Sequence, residues 1–190
     1  MNDSLKRTDW TGVRIPPAPQ EKNKKSLDLY RALVLYSYMK KNTIIFDLDG
    51  TLAIIDKRRD LSRKPNGKID FKILHDPSNI HLDIPNPPVV KMAQMFAQDG
   101  FNIIIFSGRS DKTMFTTRSW LSNNRIPFHK LVMRPHKTMN FIPDDILKKD
   151  MLDKHLDIDD VFLVVDDRQK VVDMWRNLGL TVFQVAPGDF

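Results

Sequence analysis

At 190 residues the chain can hold one domain with a substantial core, or that domain with a short appendage; 41% hydrophobic and 28% charged residues describe a globular protein with no span for a bilayer and no secretory signal. With no cysteine, disulfides and thiolate metal sites are excluded, so any metal is a hard cation on oxygen or one held by histidine; a reducing cytoplasm, that of a host if the chain is phage-encoded, is the expected location. The net charge of +6 invites a nucleic-acid reading, but residues 1–38 hold seven basic and four acidic residues, which leaves only +3 for the remainder.

Taken in chain order, the first 25 residues are polar, with Ile15-Pro16-Pro17-Ala18-Pro19 and a Lys-rich stretch to Lys25, too little apolar surface to bury, so disorder is expected. Ser26 to Lys40 places Leu27, Leu29, Tyr30, Leu33, Val34 and Tyr36 at positions that suit a helix with a poorly defined face. Gly12 to Pro19 also resembles a peptide translated from the end of a transfer RNA gene, and Met39-Lys40-Lys41 precedes the first clear strand, so the expected native start is Met39. The expected organisation is an extension, 1–40, and one domain, 41–190. From residue 43 short β-branched runs alternate with stretches at helical spacing, which predicts an α/β domain: a Rossmann-like parallel sheet sandwiched by helices. Strands are predicted at Thr43 to Asp47, Phe101 to Ser107, Leu131 to Arg134, Val161 to Asp166 and Thr181 to Val185. Helices are predicted at Pro88 to Gln98, Lys112 to Asn123, Asp144 to His155 and Arg168 to Leu178, with Pro87-Pro88 as a start and Gly100 and Gly179 as stops.

Ligands of such sheets bind beyond the carboxyl ends of the strands, and carboxylates gather there. Ile44-Ile45-Phe46 runs into Asp47-Leu48-Asp49-Gly50-Thr51, Phe162 to Val165 runs into Asp166-Asp167, and a third strand ends in Phe106-Ser107-Gly108-Arg109. The Asp-X-Asp-Gly-Thr pattern arises by chance in a chain this long only about two times in a thousand on average residue usage. An acidic pair or a Ser-Gly-Arg alone is more often a cap or a turn; their joint placement after apolar strands is what raises them.

These motifs resemble the haloacid dehalogenase superfamily of phosphohydrolases over residues 43–190. The resemblance implies Asp47 as nucleophile, Asp49 as general acid and base, Ser107 as phosphate-binding hydroxyl, Lys148 as the cation of the third motif with Lys149 as its rival, and Asp166 with Asp167 as metal acids. It also implies Mg²⁺ held by Asp47, the main-chain carbonyl of Asp49, Asp166 and Asp167, with Thr51 and Gly108 beside the substrate and Asp49 raised in pKa among its acidic neighbours. About 35 residues separate Leu52 from Pro87 and about 40 separate Arg109 from Lys148, too few for a large cap domain. Within the first insert Lys57, Arg58, Arg59, Arg63, Lys64 and Lys68 outnumber Asp56 and Asp60, which suggests a basic flap beside the nucleophile.

Val165-Asp166-Asp167-Arg168, Val171 to Arg176, Gln184 to Phe190, Asn86-Pro87 and Asp144 to Lys148 narrow the resemblance to the 3′-phosphatase domains of bacteriophage polynucleotide kinases and favour Lys148 over Lys149. The implied function is removal of a 3′-phosphate from DNA or RNA ends or from nucleoside 3′-phosphates, with Arg58, Arg109 and Arg134 as substrate contacts. Gly67-Lys68 lacks the flanking residues of a kinase phosphate cradle, so no 5′-kinase activity is expected. A nucleotidase and a binding module for nucleic-acid ends are the alternatives. His75, His81, His129, His136 and His155 show no ligand spacing, and Trp120 and Trp175 at helical positions suit packing better than base stacking.

Overall fold

The computed structural model describes residues 27–32, 41–136 and 142–188. Of the expected extension it describes one helical stretch, α1 (27–32), and the readings made for residues 1–26 and 33–40 lie outside the described residues. From Thr43 onward a five-stranded sheet forms from β1 (Thr43–Phe46), β4 (Asn102–Ser110), β5 (Lys130–Arg134), β6 (Val161–Asp166) and β7 (Val182–Gln184), in the order β5-β4-β1-β6-β7. Every pairing in it is parallel. All four residues of β1 are buried, as a central strand covered on both faces requires, and this is why Thr-Ile-Ile-Phe carries no polar alternation.

Alternation instead sorts β1 between two cores. Ile44 and Phe46 join Ile103, Ile105, Leu163 and Val165 against α4 (Pro87–Gln98) and α5 (Met114–Asn123). Ile45, Ile104, Phe106 and Val164 pack on the other face against α6 (Asp144–His155) and α7 (Gln169–Asn177). The outcome is helix, sheet, helix in three layers, with no helix among the described residues long and apolar enough to cross a membrane.

The five predicted strands and four predicted helices are all present, with β6 and α6 matching at both ends and no other end shifted by more than three residues. The largest shift is in β4, which runs past Ser107 to Ser110 because a register irregularity between those residues lets it continue along β5. The insert departs from the expected basic flap. It folds into β2 (Ala53–Ile54) paired antiparallel with β3 (Ile84–Pro85), α2 (Asp56–Leu61), α3 (Phe71–Leu74) and a 3₁₀ turn at Pro77–Leu82. Asn86 closes its neck, its backbone N–H donating to Leu52 O at 2.9 Å and its side chain to Thr51 O at 2.9 Å. Leu52, Ala53, Ile55 and Ile80 sink into the α4 and α5 core, so the insert is a small packed unit, and no large cap domain stands among the described residues.

Candidate active site

Parallel neighbours bring their carboxyl ends to one edge. Phe46 lies opposite Val165, and the Asp47 N–H donates to Val165 O at 2.9 Å, so Asp47 and Asp166 emerge side by side from β1 and β6. The chain then turns sharply, with Gly50 N–H donating to Ala53 O and Ala53 N–H to Leu48 O, both at 2.8 Å. Gly50 has φ +91°, and a Cβ there would stand 2.2 Å from Asp167 Oδ2, so both backbone and space demand glycine.

Asp47, Asp166 and Asp167 are buried, with one carboxylate oxygen of each within 4.8 Å of the others. Lys148 reaches them from α6, where it shares the inward stripe with Leu147, Met151 and Leu152. Its ammonium donates to Asp47 Oδ1 at 2.6 Å and Asp166 Oδ2 at 2.7 Å. Lys149 instead points outward to Asp153, so of the two lysines only Lys148 lies at the carboxylates. Asp166 is fixed further by N–H groups of Asp167 and Arg168 on Oδ1 and by the Trp175 indole on Oδ2 at 3.3 Å.

Three acids around one ammonium perturb one another. Burial, and then the Asp166 and Asp167 charges, push Asp47 well above the usual carboxylate range, with Lys148 opposing. Burial and Asp166 lift Asp167 to about 6. Burial opposes the charge on Lys148, but Asp166 and Asp47 outweigh it and raise its pKa. Thr51 Oγ1 donates to Asp167 Oδ1 at 3.2 Å, whereas Oδ2 is buried with no hydrogen-bond partner. An orphan carboxylate oxygen beside two other acids fits a hard divalent cation.

Asp49 does not join this group with its side chain. It belongs to a second cluster in which Arg58 Nη2 donates to Asp49 Oδ1 at 2.7 Å and Arg58 Nε to Asp83 Oδ1 at 2.7 Å. Arg109 donates to Asp49 Oδ1 through Nε at 2.7 Å and also through Nη2, and its Nη2 reaches Asp83 Oδ2 at 2.6 Å. Burial favours the neutral carboxyl of Asp49, but Arg109 and then Arg58 outweigh it, so its pKa is lowered. This corrects the expected upward shift: two guanidinium groups, not the acid trio, are its immediate neighbours.

Arg58, Arg109 and Arg134, the expected substrate contacts, are all turned onto carboxylates in this structure. Arg134 donates to Gly108 O at 3.1 Å, Ile142 O at 2.9 Å and Asp144 Oδ1 at 2.5 Å, and Arg168 also donates to Asp144. Asp144 thereby ties the start of α6 to the rim, and a Cβ on Gly108 would meet its Oδ1 at 3.0 Å. Thr51, the other expected neighbour of the substrate, is turned to Asp167. Ser107 is buried within β4, three residues before its end and level with the loop after β1, where its Oγ accepts the Arg109 N–H at 3.2 Å. Arg109 Nη1 is buried without a partner.

Asp83 escaped the sequence reading, and Trp175 and His75 were read without a place beside the site. Asp83 lies in the insert with nothing around it to mark it. Trp175 is packed as expected, fully buried, and additionally grips Asp166. His75 stands close enough to Asp49 for each to act on the other's titration, and its Nδ1 is buried with no partner.

The family profile described as the polynucleotide kinase PNKP phosphatase domain matches residues 41–190. A chain from the structure of a Pnkp1/Rnl/Hen1 complex is 33% identical over 78% of this chain and 47% of its own, with a TM-score of 0.63. One from the Pnkp1/Rnl/Hen1 RNA repair complex is 27% identical over 90% of this chain and 58% of its own, with a TM-score of 0.65. This chain thus spans only about half the length of those relatives. The L-2-haloacid dehalogenase of Xanthobacter autotrophicus, at 15% identity over 76% of this chain and 77% of its own, has a TM-score of 0.54 and shares the fold.

Proposed function

The chain belongs to the polynucleotide kinase phosphatase-domain family, phosphoric monoester hydrolases of haloacid dehalogenase type, and from that premise we propose that it removes the 3′-phosphate from nucleic-acid ends, RNA ends among them. The observation that carries the reading is the convergence of Asp47, Asp166 and Asp167 with Lys148 at the adjoining ends of β1 and β6. The RNA repair complex from which a relative comes supports the choice of substrate.

In this reading the Asp47 carboxylate attacks phosphorus, the bond to the 3′-oxygen breaks, and an acyl phosphate remains on Asp47. Asp49 gives its proton to the departing oxygen, then draws one from the water that hydrolyses the acyl phosphate. Ser107 and Lys148 hold the phosphoryl oxygens as their charge redistributes. Asp47, Asp166, Asp167 and the main-chain carbonyl of Asp49 would hold Mg²⁺, whose charge offsets the repulsion between phosphate and these acids. Asp49 stands ionised between Arg58 and Arg109 before substrate enters. A phosphate competes for Arg109, whose Nη1 has no partner, and loosening that grip restores the affinity of Asp49 for a proton.

The test is phosphate release from a 3′-phosphorylated oligonucleotide, a 5′-phosphorylated one and free nucleotides, with and without Mg²⁺. Release from the 3′ end only with Mg²⁺ is expected. Faster turnover of mononucleotides would make the enzyme a nucleotidase, and no release from any would leave a binding module.

A further inference from the structure

α3 is one turn long, started by Asp70, whose carboxylate accepts the Lys72 N–H. It sets Phe71 four residues before His75, and their rings stack with centroids 6.0 Å apart and planes 17° apart. Phe71 nevertheless leaves 65% of its surface exposed, so its outer face is bare.

The inner end of the stack reaches the site. Arg58 grips Asp49 with Nη2 and donates from Nη1 to Leu74 O, the residue before His75, at 2.8 Å. His75 lies on the inner side of the stack, its Nδ1 buried, and so backs the Phe71 ring. Lys57, Lys64, Lys68 and Lys72 of the same insert are exposed, and Lys64 reaches Asp70 at the start of α3 at 3.2 Å. A bare aromatic face and ammonium groups of the same insert match two parts of a nucleotide, the flat base and the phosphate backbone. A protein partner would use the apolar face but leave the cations without purpose.

We propose that Phe71, backed by the His75 ring, forms the seat of the 3′-terminal base and stacks on its face, so that the insert holds the last nucleotide while the acids act on its phosphate. The inference rests on the 3′-phosphatase reading and adds which part of the strand is held. Stacking on one aromatic side chain accounts for roughly tenfold in affinity.

The experiment compares kcat/KM on two 3′-phosphorylated trinucleotides, one with a normal terminal base and one with a stable abasic terminal sugar, in RNA and DNA versions, with Mg²⁺. Wild-type enzyme is expected to favour the base-bearing end about tenfold. In Phe71→Ala the ratio should fall toward one, and Phe71→Trp should restore it. Binding to Asp47→Asn protein of a trinucleotide ending in 2-aminopurine 3′-phosphate should quench its fluorescence, and Phe71→Ala should remove the quenching. If wild type cleaves base-bearing and abasic ends alike, or Phe71→Ala keeps the wild-type ratio, the seat is overturned and the 3′-phosphatase reading stands. If wild type releases phosphate from glycerol phosphate but from neither trinucleotide, the 3′-end reading falls and the seat with it.

Discussion

Two buried ionic clusters share the rim of the sheet, and they are balanced differently. In one, Asp47, Asp166 and Asp167 surround the single ammonium of Lys148, two charges short of neutral when all are ionised, with Asp167 Oδ2 unpartnered. In the other, Asp49 and Asp83 face Arg58 and Arg109, acid for base, joined by hydrogen bonds from both guanidinium groups to both carboxylates. Burying charge is costly unless it is matched, so the first cluster is incomplete on its own terms and calls for a cation, whereas the second is complete and acts as structure until an anion disturbs it. The acid that the proposed chemistry needs as proton carrier, Asp49, sits in the complete cluster, while the nucleophile sits in the incomplete one.

Substitutions should therefore behave oppositely in the two. Asp47→Asn is expected to lower turnover at least about a thousandfold, because no other group attacks phosphorus. The same change removes one of three like charges and leaves Lys148 paired with Asp166, so the metal-free protein should melt no lower than wild type. Activity near wild type would mean that another group is the nucleophile. Arg58→Ala instead opens the balanced cluster and strands Asp83 and Asp49 with one guanidinium. A loss of about 3–5 kcal/mol of stability is expected, with turnover reduced about tenfold to a hundredfold on oligonucleotides and small esters alike. A loss confined to oligonucleotides, with a changed salt dependence, would return Arg58 to the role of a surface flap.

The contrast also marks what could be read from the sequence. β1, β4 and β6 were legible because a strand buried on both faces must be a short β-branched run, and the acids at their ends were legible because a polar pair after such a run has no place in the core. The insert was not: strands of two residues and a helix of four are shorter than any period that could announce them. Its charges were visible but their direction was not. Arg58 lies among five other basic residues, and only Asp83, 25 positions on, turns it inward, an encounter fixed by the closed neck at Asn86. Trp175 was read as packing from its helical position, and its bond to Asp166 depends on how closely α7 lies under β6.

A smaller effect is expected from the metal itself. Mg²⁺ at a hundred times its dissociation constant should stabilise the folded protein by about 2.7 kcal/mol, seen as a higher melting temperature that chelation reverses. Asp166→Asn should abolish that gain, since it neutralises one of the three converging carboxylates. A gain that survives Asp166→Asn would place the ion elsewhere.

The smallest effect, and the one most specific to the unbalanced cluster, is in pH. Asp167 is lifted to about 6 from the usual 3.8, by burial and by Asp166. Between those values the unfolded chain has already released this proton while the folded one still holds it, so stability from this group is full at low pH and is lost as pH rises through about 6. Mg²⁺ binds the ionised form and so works against the proton, its apparent affinity weakening up to about tenfold per pH unit below that value. The gap in melting temperature between Mg²⁺-loaded and chelated protein should therefore widen from pH 5 to pH 7, and Asp167→Asn should flatten the trend. The balanced cluster predicts no such widening, because Asp49 is already ionised at the lower pH, its pKa lowered by Arg109 and Arg58 against the cost of burial. A gap that stays constant in wild type across this interval would show that the acid trio does not exchange its proton for a metal.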